Sequence, residues 1–151
     1  MPTIVLSTLA PAPPEACFAL SLSVDAHTAS MSRSGERAVA GVTSGTMRLD
    51  DTVTWEATHF GIPFRMTSRI TGYEAPRRFV DEQVSGPFRR WWHEHRFDAV
   101  TGGTQMTDVV EDEAPVGPIG RLADRVVLTS YMTRLLERRS RWLVEALAGR
   151  G

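Results

Sequence analysis

Thr52-Val-Thr-Trp-Glu-Ala-Thr-His59, Arg78-Phe-Val-Asp-Glu-Gln-Val84 and Phe88-Arg-Arg-Trp-Trp-His-Glu-His-Arg-Phe97 belong to one stretch, Thr52 to Asp112, that alternates with a period of two. Successive side chains of a strand point to opposite faces, so this period marks strands with one buried face. Gly61, Gly72, Gly86 and Gly102-Gly103 punctuate the stretch at hairpin-like intervals. The spacing predicts strands at 52–59, 64–71, 78–84, 88–99 and 104–112.

Upstream, Thr3 to Thr8 reads as a first strand, ended by Pro11-Ala-Pro-Pro14, which presets a helix start. Glu15 to Leu22 and Val24 to Met31 read as two short helices, and Arg37 to Val42 as a returning strand. Downstream, Pro115-Val-Gly-Pro118 opens a long helix to about Ala148. It carries Leu122, Val126, Leu128, Met132, Leu135, Leu136, Trp142 and Leu143 on its apolar side, and Arg138, Arg139 and Arg141 on its polar face and last turns. At about 30 residues it would span roughly 45 Å, enough to cover a sheet that would otherwise leave an apolar face wet. The expected fold is therefore α+β, with one domain over 1–151.

Composition narrows the function. A chain of 151 residues with net charge −1 has no overall field favouring nucleic acid or an anionic membrane. All 17 basic residues are arginine, so a lysine Schiff base, a pyridoxal phosphate anchor and a lysine-bearing phosphate loop are excluded. Cys17 is alone, so no internal disulfide or thiolate cluster forms, and its apolar surroundings predict a buried thiol. No basic residue precedes Arg33 and the first apolar run is short, so neither a signal peptide nor a membrane span is expected; the expected compartment is the cytoplasm.

Alternation sorts the strand residues into two sets. Thr54, Glu56, Thr58, Arg65, Thr67, Arg69, Arg78, Glu82, Arg90, Glu94, Arg96, Thr107 and Glu111 form a solvent face of paired charges, with Val80, Val84, Trp92 and Val109 as exceptions. Trp92 is a candidate contact for a homodimer or another protein. The opposite face holds Val53, Trp55, Ala57, His59, Phe64, Met66, Ser68, Ile70, Phe79, Asp81, Gln83, Trp91, His93, His95, Phe97, Met106, Asp108 and Val110. Eleven of these eighteen are apolar and seven polar, including three of the four histidines. Each polar group left unsatisfied in a sealed core costs about 1–3 kcal/mol. Such a mixture therefore suits a damp, apolar-walled cavity for a small molecule. A turn over Asp98–Gly103 would set Phe97 opposite Met106 and His95 opposite Asp108. A turn over Ser85–Phe88 would set Asp81 opposite Trp91, and a two-residue slip there changes partners but keeps the face.

The element order, with the blocks Val53-Thr-Trp-Glu-Ala-Thr-His-Phe-Gly61, Arg78-Phe-Val-Asp-Glu-Gln83, Gly86-Pro-Phe88, Trp92-His-Glu-His-Arg-Phe97 and Gly103-Thr-Gln-Met-Thr-Asp108, resembles the SRPBCC superfamily. This is the START, Bet v 1 and polyketide-cyclase-like group, and the resemblance covers nearly the whole chain. It implies a helix-grip fold, a curved antiparallel sheet wrapped around a long C-terminal helix. It also implies a cavity between them for a lipid, polyketide or other apolar or amphipathic metabolite, with no cofactor. No catalytic motif of a characterised aromatase or cyclase carries over residue by residue.

Candidate ligand-contacting residues are Trp55, His59, Phe64, Met66, Ser68, Phe79, Asp81, Gln83, Trp91, His93, His95, Met106, Asp108, Leu122 and Val126. His93, His95 and Asp108 form the sharpest group, and Asp81, one strand earlier, is a further catalytic candidate. Three readings are open: polar groups orienting a ligand, an acid/base set for cyclisation or dehydration, and a metal site with His59 as fourth ligand. A His-x-His pair is a weak metal signal, so the expectation is no metal. His27 reads as a helix-surface or packing residue.

Overall fold

The computed structural model describes residues 3–59, 61–115 and 125–149. Strand β1 (Thr3–Ala10) leads through prolines into α1 (Pro14–Ser21), with a proline in its first turn. Ser23 caps α2 (Val24–Ser30), its hydroxyl accepting the Ala26 N–H at 3.1 Å. A single 3-10 turn, Ser32–Ser34, precedes β2 (Arg37–Gly41). The strands β3 (Thr52–His59), β4 (Ile62–Glu74), β5 (Arg78–Ser85), β6 (Phe88–Val100) and β7 (Gly103–Pro115) follow, and helix α3 covers Arg125–Gly149. The expected helix opening at Val116–Pro118 and residue Leu122 lie outside the described residues, as does the side chain of Val126.

All seven strands form one antiparallel sheet in the order β1-β7-β6-β5-β4-β3-β2. Successive hairpins build β2 to β7, and the first strand then closes on the last. Gly72 does not end its strand as expected. A register shift between Ile70 and Gly72 absorbs it as a bulge, and β4 continues to Glu74. Gly103 is required where β7 meets β1: a Cβ there would overlap the Ala10 carbonyl oxygen. Gly103→Ala is expected to destabilise the fold by about 1–3 kcal/mol through overpacking, read as a lowered melting temperature. An unchanged value would mean that β1 yields freely.

The β6–β7 register sets Phe97 opposite Met106 and His95 opposite Asp108, as the turn length implies. The β5–β6 register differs from expectation by two residues, with Asp81 opposite His93, not Trp91. The reason lies at the corner. Gln83 donates its amide to the Phe88 carbonyl at 2.7 Å and accepts the Phe88 N–H at 3.2 Å. A side chain thus closes a turn in which Pro87 has no N–H to offer.

Two apolar clusters lie between sheet and helices. In one, Phe18 of α1 stands edge-on to Phe79 and Phe97 at 5.7 and 5.6 Å, with Met106, Leu143 and Leu147 alongside. The other holds Ile4, Trp91, Val110 and Leu136. Along β6 the order is Trp91, His93, His95, Phe97; along β7 it is Val110, Asp108, Met106; along α3 it is Leu136, Arg139, Leu143. Three elements thus place a polar belt between two apolar clusters.

The outer face departs from expectation at three positions. Glu94 is buried, held by Arg78 and Arg96 at 2.7 Å each, because long arginine stems from neighbouring positions cover it. Val80 is buried as well, and Trp92 is half-buried.

Candidate functional site

Between sheet and helices lies a cavity of about 620 Å³, inside the range of about 300–1,000 Å³ usual for small-molecule pockets. Strand alternation supplies one wall, including Trp55, Phe64, Met66, Phe79 and Trp91. Met31 and Val24 close a second side, and Leu128, Met132 and Leu135 of α3 a third.

The polar belt borders this cavity. His93 and His95, two apart on β6, stack with ring centroids 3.7 Å apart, and His95 stacks on Phe79 at 4.0 Å. His93 donates from Nε2 to Asp108 Oδ1 at 2.8 Å, and His95 from Nε2 to Asp81 Oδ2 at 2.7 Å. Arg139, 5% exposed, reaches in from α3. Its guanidinium spans Asp108 Oδ1 and His95 Nδ1, each at 3.4 Å.

Charge states follow from these contacts. Burial, reinforced by the neighbouring His93 and Arg139, pushes the His95 imidazole down to about 4, against the pull of Asp81. His95 is therefore neutral at pH 7, donating at Nε2 and accepting from Arg139 at Nδ1. Burial alone would raise the Asp108 carboxyl. The His93 hydrogen bond and the Arg139 guanidinium outweigh it and hold the group below the usual carboxylate range. Asp81 is depressed in the same way, its burial offset by the His95 hydrogen bond and by the neighbouring His93 and Arg139 side chains. Both carboxylates are ionised.

A second polar group borders the same cavity. His59 Nδ1 and the Tyr131 hydroxyl share a hydrogen bond at 2.7 Å, and His27 Nε2 pairs with Glu36 at 2.6 Å while its ring lies tilted against Trp55, with centroids 4.3 Å apart. Burial depresses the His59 imidazole, with Glu36 opposing. Of its two expected roles His27 takes packing, against Trp55, and it lines the cavity.

The structure brings ten candidates to the cavity: Trp55, His59, Phe64, Met66, Ser68, Phe79, Asp81, Trp91, His93 and His95. Gln83, Met106 and Asp108 are placed elsewhere: the first closes the β5–β6 corner, the second joins the Phe18 cluster, and the third sits behind the histidines. Cys17 is buried away from the cavity, with burial raising its thiol. Residue-type reasoning missed Arg139, Tyr131 and Glu36. For Arg139 a signal existed, since it falls on the stripe Met132, Leu135, Leu136, Leu143 at helical spacing. Glu36 had none, because only the packing of α2 against the sheet brings it to His27.

Asp81, His93 and His95 bring three metal-capable atoms within 4.8 Å of one another. The stacked rings, however, send their in-plane lone pairs side by side, whereas one ion needs them to converge. Arg139 adds a fixed positive charge against the same group. Both features work against a dication here.

Comparison with solved structures bears on the architecture. TTHA0849 from Thermus thermophilus superposes with a TM-score of 0.80 over 99% of both chains at 19% identity. Major latex-like protein 151 from Panax ginseng gives 0.68 over 97% of both chains at 14% identity. Ara h 8.0201 gives 0.62 over 95% of this chain and 98% of its own, at 12% identity. The chain has the Bet v 1-like fold. No protein-family model and no curated protein matches its sequence. Within this Bet v 1-like, helix-grip arrangement α3 is the gripped helix, and no helix among the described residues is long and apolar enough to cross a membrane.

Proposed function

We propose that this protein binds a small, largely apolar or amphipathic molecule between its sheet and α3, in the manner of a carrier or sensor. The observation that carries the reading is the cavity itself: about 620 Å³ walled by aromatic and aliphatic side chains, with polar groups gathered in two places. Solid cores do not leave such space, since native interiors pack like organic crystals. Bet v 1-like neighbours at this level of identity support the fold, and the binding role rests on the cavity.

The charge states favour binding over proton transfer by the His95–Asp81 pair. A general acid or base works best with a pKa near the working pH, whereas His95 lies near 4 and Asp81 is depressed. The enzyme reading, a cyclase- or dehydratase-like activity through His93, His95 and Asp81, draws its support from two imidazoles bordering the cavity. Solvent extracts of the purified protein, examined by mass spectrometry, are expected to contain a retained apolar compound near one equivalent. Extracts free of any compound, together with no uptake of apolar probes, would refute the binding role. His95→Ala is expected to alter affinity modestly; conversion of a bound compound that this variant abolishes would favour the enzyme.

A further inference from the structure

The Asp81 carboxylate is incompletely satisfied by the protein. Its Oδ2 accepts from His95 at 2.7 Å and lies 3.8 Å from His93 Nδ1. Among the described residues no hydrogen bond reaches Oδ1. The side chain is 21% exposed and lines the cavity, opposite Ile70 of β4 and two residues from Phe79 on the same strand. An ionised carboxylate offers about four lone-pair sites, and leaving them empty in apolar surroundings is costly. The cation of the belt does not supply the missing donor. Arg139 directs one nitrogen to Asp108 and the other to His95, and makes no hydrogen bond to Asp81.

We propose that Asp81 recognises the polar end of the ligand, so that the cavity takes an apolar molecule bearing a hydroxyl or ammonium donor in preference to one bearing a carboxylate. The donor would meet Asp81 Oδ1 while the apolar body lies against Phe79, Trp91 and the α3 wall. A ligand carboxylate in the same place would face a like charge in a low-dielectric site. This assignment rests on the binding role proposed above.

The test measures binding of 2-naphthol, 2-naphthylmethylamine, 2-naphthoate and 2-methylnaphthalene to the whole protein at neutral pH, by calorimetry or naphthalene fluorescence. The naphthol and the amine are expected to bind about tenfold or more tightly than the naphthoate. In Asp81→Asn, whose amide both accepts from His95 and donates, that preference is expected to vanish, with continued binding of methylnaphthalene as proof of an intact cavity. Binding of all four probes without preference, or a preference that survives Asp81→Asn, overturns the assignment and leaves the cavity reading standing. Absence of binding by every probe overturns both. If the variant does not fold, the wild-type order of the four probes decides the question.

Discussion

Arg139→Met is expected to destabilise the protein by about 3–5 kcal/mol, the range for removing one partner of a buried ion pair. Arg139 and Asp108 are each 5% exposed, so water cannot replace the lost guanidinium at either Asp108 or His95. Methionine keeps much of the side-chain volume, which separates the charge effect from a cavity effect. Burial acting on Asp108 would then be opposed by the His93 hydrogen bond without the guanidinium, so its carboxyl would be less depressed. In the wild type this depressed carboxyl contributes stability above its unfolded pKa and loses it as pH falls through the folded value. The variant would lose the part of that contribution that Arg139 supplies, from the carboxylate range upward. Urea denaturation at pH 7 measures the effect. Adding Asp108→Asn to Arg139→Met should recover a good part of the loss, since it removes the stranded charge. A single-variant loss under about 1 kcal/mol, the value of a surface pair, would mean that the belt is wetter than its burial indicates.

Acidification of the wild type from pH 7 to 4.5 is expected to remove up to about 3 kcal/mol through His95 alone. The imidazole drops from 6.5 to about 4 on folding, and each pKa unit is worth about 1.4 kcal/mol. The sign is set by proton uptake. Between those two values the unfolded chain binds the proton and the native one does not, so stability rises with pH there. It is fully present above 6.5 and lost as pH falls to about 4. His59, also depressed, adds in the same direction. Asp81 and Asp108 act below this window, in the carboxylate range and under it. His95→Gln keeps a donor for Asp81 but cannot ionise. It is expected to cost about 1 kcal/mol at pH 7 and to flatten the decline between pH 6.5 and 4.5. Urea midpoints across that range decide; parallel curves for wild type and variant would show that His95 is not held neutral.

Much of the site was legible because strand parity is local. Side chains two apart share a face whatever the partner strand does, so Trp91, His93, His95 and Phe97 fell together from spacing alone. Pairing depends on corners. The tight β6–β7 corner, paired through to Val100 and Gly103, placed His95 opposite Asp108, while at Ser85–Phe88 the amide of Gln83 took over the closure and moved Asp81 to His93. Arginine at position 139 was read by its residue type, as a solvated end of α3, when its place on the apolar stripe pointed inward. Glu94 was hidden by the reverse effect, as arginine stems from other positions folded over it.

By itself the sequence determined the α+β class, the antiparallel meander, the two faces and the inward set of imidazoles and carboxylates. These depend on periodicity and on turn residues, which act over a few positions. Only the tertiary structure decided that Arg139 ties Asp108 to His95, that Glu36 meets His27, that Asp108 stands behind the histidines, and that about 620 Å³ lies between sheet and helix. Ion pairs between distant elements and the volume left among them depend on how helices and sheet settle against one another, and no local pattern encodes that distance.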